Sequence, residues 1–155
     1  KNNPVRELSN VQVKAIYTGK ITNWQELGGE DRKITAVNKA EGRSTLELFL
    51  HYFKLKSRDV RPHVVIGDNQ QGIKTVAGNV GAIAYVSIGT AEYEQSHGTP
   101  IRLLGMNGIS ATVDNVRAGH FPLSRPLNLV VKGKPSPLAE KFIQFAQSEA
   151  VDDLV

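Results

Sequence analysis

Short β-branched runs alternate along the chain with amphipathic stretches of about 8–14 residues, the rhythm of an α/β sandwich. Ser9 is placed to N-cap a helix through Tyr17, with Leu8, Val13, Ile16 and Tyr17 apolar and Gly19 ending it. Thr22 is expected to cap a short helical turn over 23–27, stopped by Gly28 and Gly29. Residues 33–38 alternate as a strand, and after Gly42 the stretch 44–56 predicts a helix with Leu46, Phe49, Leu50 and Phe53 on one stripe. A short strand at 63–66, a helix at 70–77 and an apolar run at 81–87 suited to a buried strand follow; Tyr85 is expected inside that strand. A helix at 90–95, a strand at 101–104 and a helix at 112–118 ended by Gly119 complete this part.

The character then changes. Residues 120–126 carry Pro122 and Pro126, which suit an extended crossing segment and mark a boundary. An apolar strand is expected at 127–131, and Pro137 opens a last helix with Leu138, Phe142 and Phe145 on one face. One strand and one helix make a poor core, so the residues from 126 onwards are expected to pack on something further.

Composition narrows the chemistry. A chain of 155 residues with 40% hydrophobic and 22% charged positions is long enough for a real core and far from the disordered signature. Lys plus Arg is 19 against 15 for Asp plus Glu, a net +4 that mildly favours anionic partners. The basic residues are dispersed and the aromatics fall on expected core faces, Trp24 being the chief exception, so nucleic-acid binding is not expected. No apolar run reaches the roughly 18 residues of a membrane span, so the chain is expected not to span a membrane. With no cysteine there is neither a thiolate metal site nor a thiol nucleophile. His51, His63, His97 and His120 lack ligand spacing, and no metal is expected. Ser44 lacks a G-x-S-x-G elbow, and Glu41 and Asp68 read as solvated carboxylates, so no enzyme activity is expected.

The strongest constellation is Asn38-Lys39-Ala40-Glu41-Gly42-Arg43-Ser44-Thr45, between an expected strand and an expected helix. Backbone N–H groups and the positive end of the helix dipole point outwards there, and Lys39, Arg43, Ser44 and Thr45 add donors, the makings of an oxyanion cradle. The same residues admit a second account, in which Ser44 caps the helix and Lys39 and Arg43 are solvated. It is not a nucleotide P-loop, whose spacing is absent. Asn69, Gln70 and Gln71 open another helix whose N–H groups are candidates for the same cleft; capping by Asp68 is the plainer reading.

Residues 8–29, with Ile16-Tyr17-Thr18-Gly19-Lys20-Ile21-Thr22-Asn23-Trp24-Gln25-Glu26-Leu27-Gly28-Gly29, resemble the I-F-x-G-x-I-x-x-W-x-D-L-G signature of phosphate-type substrate-binding proteins of ABC transporters. Residues 80–87 resemble that family's G-A-I-G-Y-V strand, 121–127 its Y-P-L-x-R-P-L segment between lobes, and the final helix its F-I-x-x-x-x-S-x-E stretch. The resemblance implies the periplasmic binding protein-like type II fold: a three-layer αβα lobe with a mixed sheet, here with an incomplete first lobe. Residues 4–122 would form the second, anion-binding lobe, and 123–155 the crossing strand and helix belonging to the first. It implies a binder of phosphate or another oxyanion in an interlobe cleft, without a cofactor, in the periplasm or another extracytoplasmic space, with an ABC permease as partner. The alternative is a sensor or interaction module that kept the fold and lost tight binding. The family's R-x-x-x-S-G-T phosphate motif falls on Lys39, Arg43, Ser44 and Thr45, of which only the Thr matches. Lys39 keeps the charge without a guanidinium fork, which Arg43 is positioned to restore from a neighbouring place.

Overall fold

The computed structural model describes residues 3–124 and 128–151. Arg125, Pro126 and Leu127, where the expected crossing segment ends and the last expected strand begins, lie outside the described residues, as do 1–2 and 152–155. The chain divides into two compact units, the first ending at Ser124. Among the described residues no helix is long and apolar enough to cross a membrane.

The first unit is built on three parallel strands, β2 (Thr35–Lys39), β3 (Val64–Ile66) and β4 (Ala82–Ala84), with β2 in the centre. A separate two-stranded parallel ladder joins β1 (Glu7–Leu8) to β5 (Gly105–Met106). Among the described residues, antiparallel pairing, which a mixed sheet requires, is confined to the isolated bridges Asn23–Lys33 and Met106–Ile109. Parallel strands need crossovers, and α2 (Ser44–Phe53) and α3 (Asn69–Gly78) supply them. The helices α1 (Asn10–Tyr17), α4 (Ile88–Ser96) and α5 (Val113–Arg117) complete the unit.

Helix α1 starts as its sequence dictates. Ser9 Oγ accepts from Gln12 N at 3.2 Å and Gln12 Oε1 accepts from Ser9 N at 2.8 Å, a reciprocal capping box. The helix ends on buried Ile16 and Tyr17, and the Tyr17 hydroxyl reaches Val37 O at 3.2 Å and Ile83 O at 3.4 Å, tying α1 to β2 and β4. Phe49 of α2 meets Tyr17 edge-on with ring centroids 4.7 Å apart and stacks on Tyr85 at 4.1 Å. The expected stripe on α2 is thus the core stripe, with Leu46, Phe49 and Phe53 buried and Leu50 packed against the same cluster. The helix stops at Phe53, short of residue 56, because Lys54 turns left-handed (φ 50) and Leu55 N returns to Leu50 O.

Several expectations are corrected. Asn23, not Thr22, caps the turn Trp24–Leu27: its Oδ1 accepts from Gln25 N at 2.9 Å, and Glu26 Oε1 accepts from Asn23 N at 2.9 Å. Trp24 is no exception to the core pattern. It is 3% exposed, and its Nε1 donates to Gly81 O at 2.9 Å, a buried partner for the indole N–H. The run 81–87 pairs only over β4, so Tyr85 lies beyond the strand end, half-buried. Residues 101–104 form no ladder, since Ile101 N bonds Thr99 O and Leu103 N bonds Gln95 Oε1; pairing begins at Gly105 instead.

In the second unit, α6 (Pro137–Ala146) is capped by Ser136, whose Oγ accepts from Ala139 N at 3.3 Å. Leu138, Phe142 and Phe145 are exposed. Residues 128–131 are not a strand: no ladder partner stands beside them among the described residues, and Val130 is exposed.

Gly81 marks the tightest backbone approach in the first unit. A Cβ there would lie 2.6 Å from Lys33 O, while its own carbonyl accepts from both Trp24 Nε1 and Thr35 N. Gly81→Ala is expected to destabilise by about 1–3 kcal/mol, as an overpacked site does. Gly78→Ala, at a helical position where a Cβ meets nothing within 4 Å, is expected to be neutral or to stabilise by up to about 1 kcal/mol. Urea midpoints of the two variants against the parent check both signs.

Candidate anion site at the end of the central strand

The central strand of a parallel sheet delivers its carboxyl end between two crossovers, and here that end is Lys39. Ala40 N bonds Ile66 O at 2.8 Å, so the chain stays paired to the end of β3 before it turns. Gly42 makes the turn at φ 76, a conformation favourable to glycine, and α2 follows.

Arg43 rather than Ser44 occupies the N-cap position of α2. Its backbone is extended (φ −90, ψ 125), its side chain makes no capping bond, and Leu46 N and Glu47 N both turn back to its carbonyl. The helix therefore begins one residue earlier than a Ser44 cap requires, and Ser44 is the first helical residue. Ser44 and Arg43 are exposed and Thr45 is half-buried. The Thr45 amide, in the first turn, has no intrahelical acceptor.

Lys39 is the surprise. Its side chain is 2% exposed, and its Nζ donates to Asn69 Oδ1 at 2.7 Å. Burial lowers its pKa from the ordinary lysine value; Asp68 pulls the other way, and the Arg43 charge lowers it further. The second helix mouth is consequently brought to the first. Asp68 caps α3, accepting from Gln71 N at 2.8 Å, and Gly67 N donates to Gln71 Oε1 at 2.7 Å. A methyl group on Gly67 would lie 3.6 Å from Arg43 Nη2, so the guanidinium lies against the loop before α3.

Tyr85 holds the floor of this arrangement. Its hydroxyl donates to Asn38 Oδ1 at 2.5 Å and accepts from Lys39 N at 3.2 Å, and burial pushes its pKa up to about 12, so it stays neutral. Asn38, Asn69 and Tyr85 are the residues whose side-chain roles the sequence did not reveal; all three act across 30 residues or more of chain. The only local signal was their polarity at strand and helix ends. The other candidates have ordinary roles. His63 Nδ1 accepts from Ala36 N at 3.1 Å, and Glu41 Oε1 lies 3.5 Å from the exposed Ser57 hydroxyl. An apolar cavity of about 340 Å³ in the same unit is lined by residues such as Ile73, Val76, Ile83 and Ile101, and by none of Lys39, Arg43, Ser44 or Thr45.

Chemically, this is a concentration of donors: one buried cation, one exposed guanidinium, a hydroxyl pair and a helix N-terminus. Residues 1–150 match the family described as the PBP superfamily domain. The chain belongs to that family. This PBP domain is 29% identical over 147 residues to the phosphate-binding protein PstS of Bacillus subtilis, covering 95% of the chain and 47% of that protein. It superposes with TM-score 0.84 and 33% identity on a candidate phosphate ABC transporter substrate-binding protein of Clostridium perfringens solved with bound phosphate, covering 99% of this chain and 62% of that one. An ABC-type phosphate transport receptor of Vibrio cholerae gives TM-score 0.75 at 31% identity, covering 99% and 63%. The chain thus spans about half the length of the curated relatives it matches. These relatives are named for phosphate binding and transport.

The lowered Lys39 pKa has a sign that binding reports. As pH rises through the depressed value, Nζ loses its proton and charge, so anion affinity is expected to fall at a lower pH than an ordinary lysine dictates. Lys39→Arg keeps its charge throughout. The ratio of parent to Lys39→Arg phosphate affinity, measured by calorimetry from neutral to alkaline pH, cancels the titration of the ligand and is expected to decline with pH.

Proposed function

We propose that this PBP domain supplies the anion-binding part of a solute-binding protein for ABC-type transport, with residues 4–122 forming one lobe and 123–155 returning to the other. Phosphate, or a tetrahedral oxyanion of similar size, is held in the interlobe cleft by Lys39, Arg43, Ser44 and Thr45. The observation that carries this reading is the nearly buried Lys39 ammonium beside the exposed Arg43 guanidinium at the start of α2. Two cations and a helix dipole in one place repel each other until an anion arrives. The names of the relatives supply the choice of phosphate among oxyanions, since this chain is similar to proteins named for phosphate binding and to one solved with phosphate bound.

No cofactor is required, because guanidinium, ammonium and amide donors neutralise the ligand. The partner is an ABC permease, and the place of work is outside the cytoplasmic membrane, both by kinship with these relatives. Arg43 takes over the bidentate role that Lys39 lacks the fork to perform.

Calorimetric titration of the full-length protein with phosphate, sulfate and a sugar phosphate tests the reading. Phosphate is expected to bind with micromolar or tighter affinity, about −8 kcal/mol or better. Arg43→Ala is expected to cost about ten- to a hundredfold, the worth of hydrogen bonds to a charged group, and more than Lys39→Ala. Equal or reversed losses remove Arg43 from the fork role, and no binding to any of the three anions replaces transport by a sensor or docking role on the same fold.

A further inference from the structure

A buried ammonium normally meets a carboxylate, because desolvating an uncompensated charge is costly. Lys39 does not follow that pattern. Its Nζ partner is the neutral Asn69 Oδ1 at 2.7 Å, and among the described residues no carboxylate lies within ion-pair distance of it. The charged and titratable groups around it come from three elements. Asp68, before α3, acts on it through space, but its Oδ1 accepts the Gln71 amide as the α3 cap. Arg43, at the start of α2, adds a second positive charge. Tyr85, beyond β4, binds the Lys39 backbone through a hydroxyl that stays protonated.

We infer that Asn69 is a positioning residue that fixes the direction of the Lys39 ammonium without neutralising it, keeping a buried positive charge available to the incoming anion. This deepens the proposed function and rests on it. Asn69 is the first residue of α3, so the Asp68 cap on Gln71 N fixes the backbone from which its side-chain Oδ1 reaches the Lys39 Nζ. The amide is the right chemistry for the task. Its oxygen accepts from Nζ as a carboxylate oxygen does, yet it carries no charge to compete with a ligand. An aspartate of the same size would form the ion pair that the site lacks.

The test compares Asn69→Asp with Gln70→Asp in the full-length protein, using inorganic phosphate as the probe. Gln70 is the exposed next residue and its side chain reaches Glu94 Oε1 on α4 at 3.0 Å, so Gln70→Asp places the same negative charge on the same helix turn without facing Lys39. Both substitutions put an acid in the first turn of a helix, where the dipole favours it. Because Gln70→Asp also loses the Gln70 Nε2 bond to Glu94 Oε1 (3.0 Å), thermal melts of both variants accompany the titrations to show that each is folded. Asn69→Asp is expected to weaken phosphate binding at least tenfold and Gln70→Asp by no more than about twofold. Nitrogen-detected NMR of the Lys39 ammonium is expected to show its pKa raised in Asn69→Asp and unchanged in Gln70→Asp. Equal losses in the two variants, or an unchanged Lys39 pKa in Asn69→Asp, overturn the positioning role while leaving phosphate binding intact. A parent protein that binds no phosphate overturns the binding reading and this inference together.

Discussion

The structure turns on one aromatic contact, the stack of Phe49 on Tyr85. Phe49 belongs to α2 and Tyr85 follows β4, so their rings at 4.1 Å clamp the first crossover helix to the far side of the sheet. Tyr17 closes the cluster from α1, edge-on to both rings, with its hydroxyl on the carbonyls of β2 and β4. The same Tyr85 ring that packs into the core turns its hydroxyl towards Asn38 and the Lys39 amide. Core packing and site geometry are therefore a single constraint: the register of α2 against β2 settles where the end of β2 presents Lys39. Aromatic pairs of this kind contribute beyond their buried area, and here that contribution fixes the direction of a polar loop.

Much of the fold was legible because it is written locally. The Ser9 capping box, the α2 stripe of Leu46, Phe49 and Phe53, and the Pro137 start of α6 depend on residues no more than four positions from the next, and each stands where periodicity and capping chemistry put it. What escaped depends on distant partners. Trp24 looked exposed because its acceptor, Gly81 O, is 57 residues away. The 101–104 run has strand composition, yet its amides are taken by Thr99 O and Gln95 Oε1 before a ladder forms.

The candidate site divides in the same way. Its loop was recognisable from a strand, a glycine and a helix start, and the family motif placed Lys39, Arg43, Ser44 and Thr45 on it. The internal geometry was not. A lysine at a strand end ordinarily keeps its head in water, and the burial of Lys39 depends on α3 arriving 30 residues later with Asn69. The Ser44 cap gave way to Arg43 because the left-handed Gly42 delivers an extended residue at position 43, and the first helical amides close on its carbonyl.

Trp24 is the single tryptophan of the chain and sits at the seam between its short helical turn and the backbone of Gly81, with its N–H bonded and its ring sealed from water. It is therefore a built-in optical gauge. Its emission reads the integrity of that seam, and because the second unit carries no tryptophan, loosening confined to the residues after 124 passes without a direct tryptophan signal. A fluorescence melt of this protein follows the first unit, and the second must be followed by another probe.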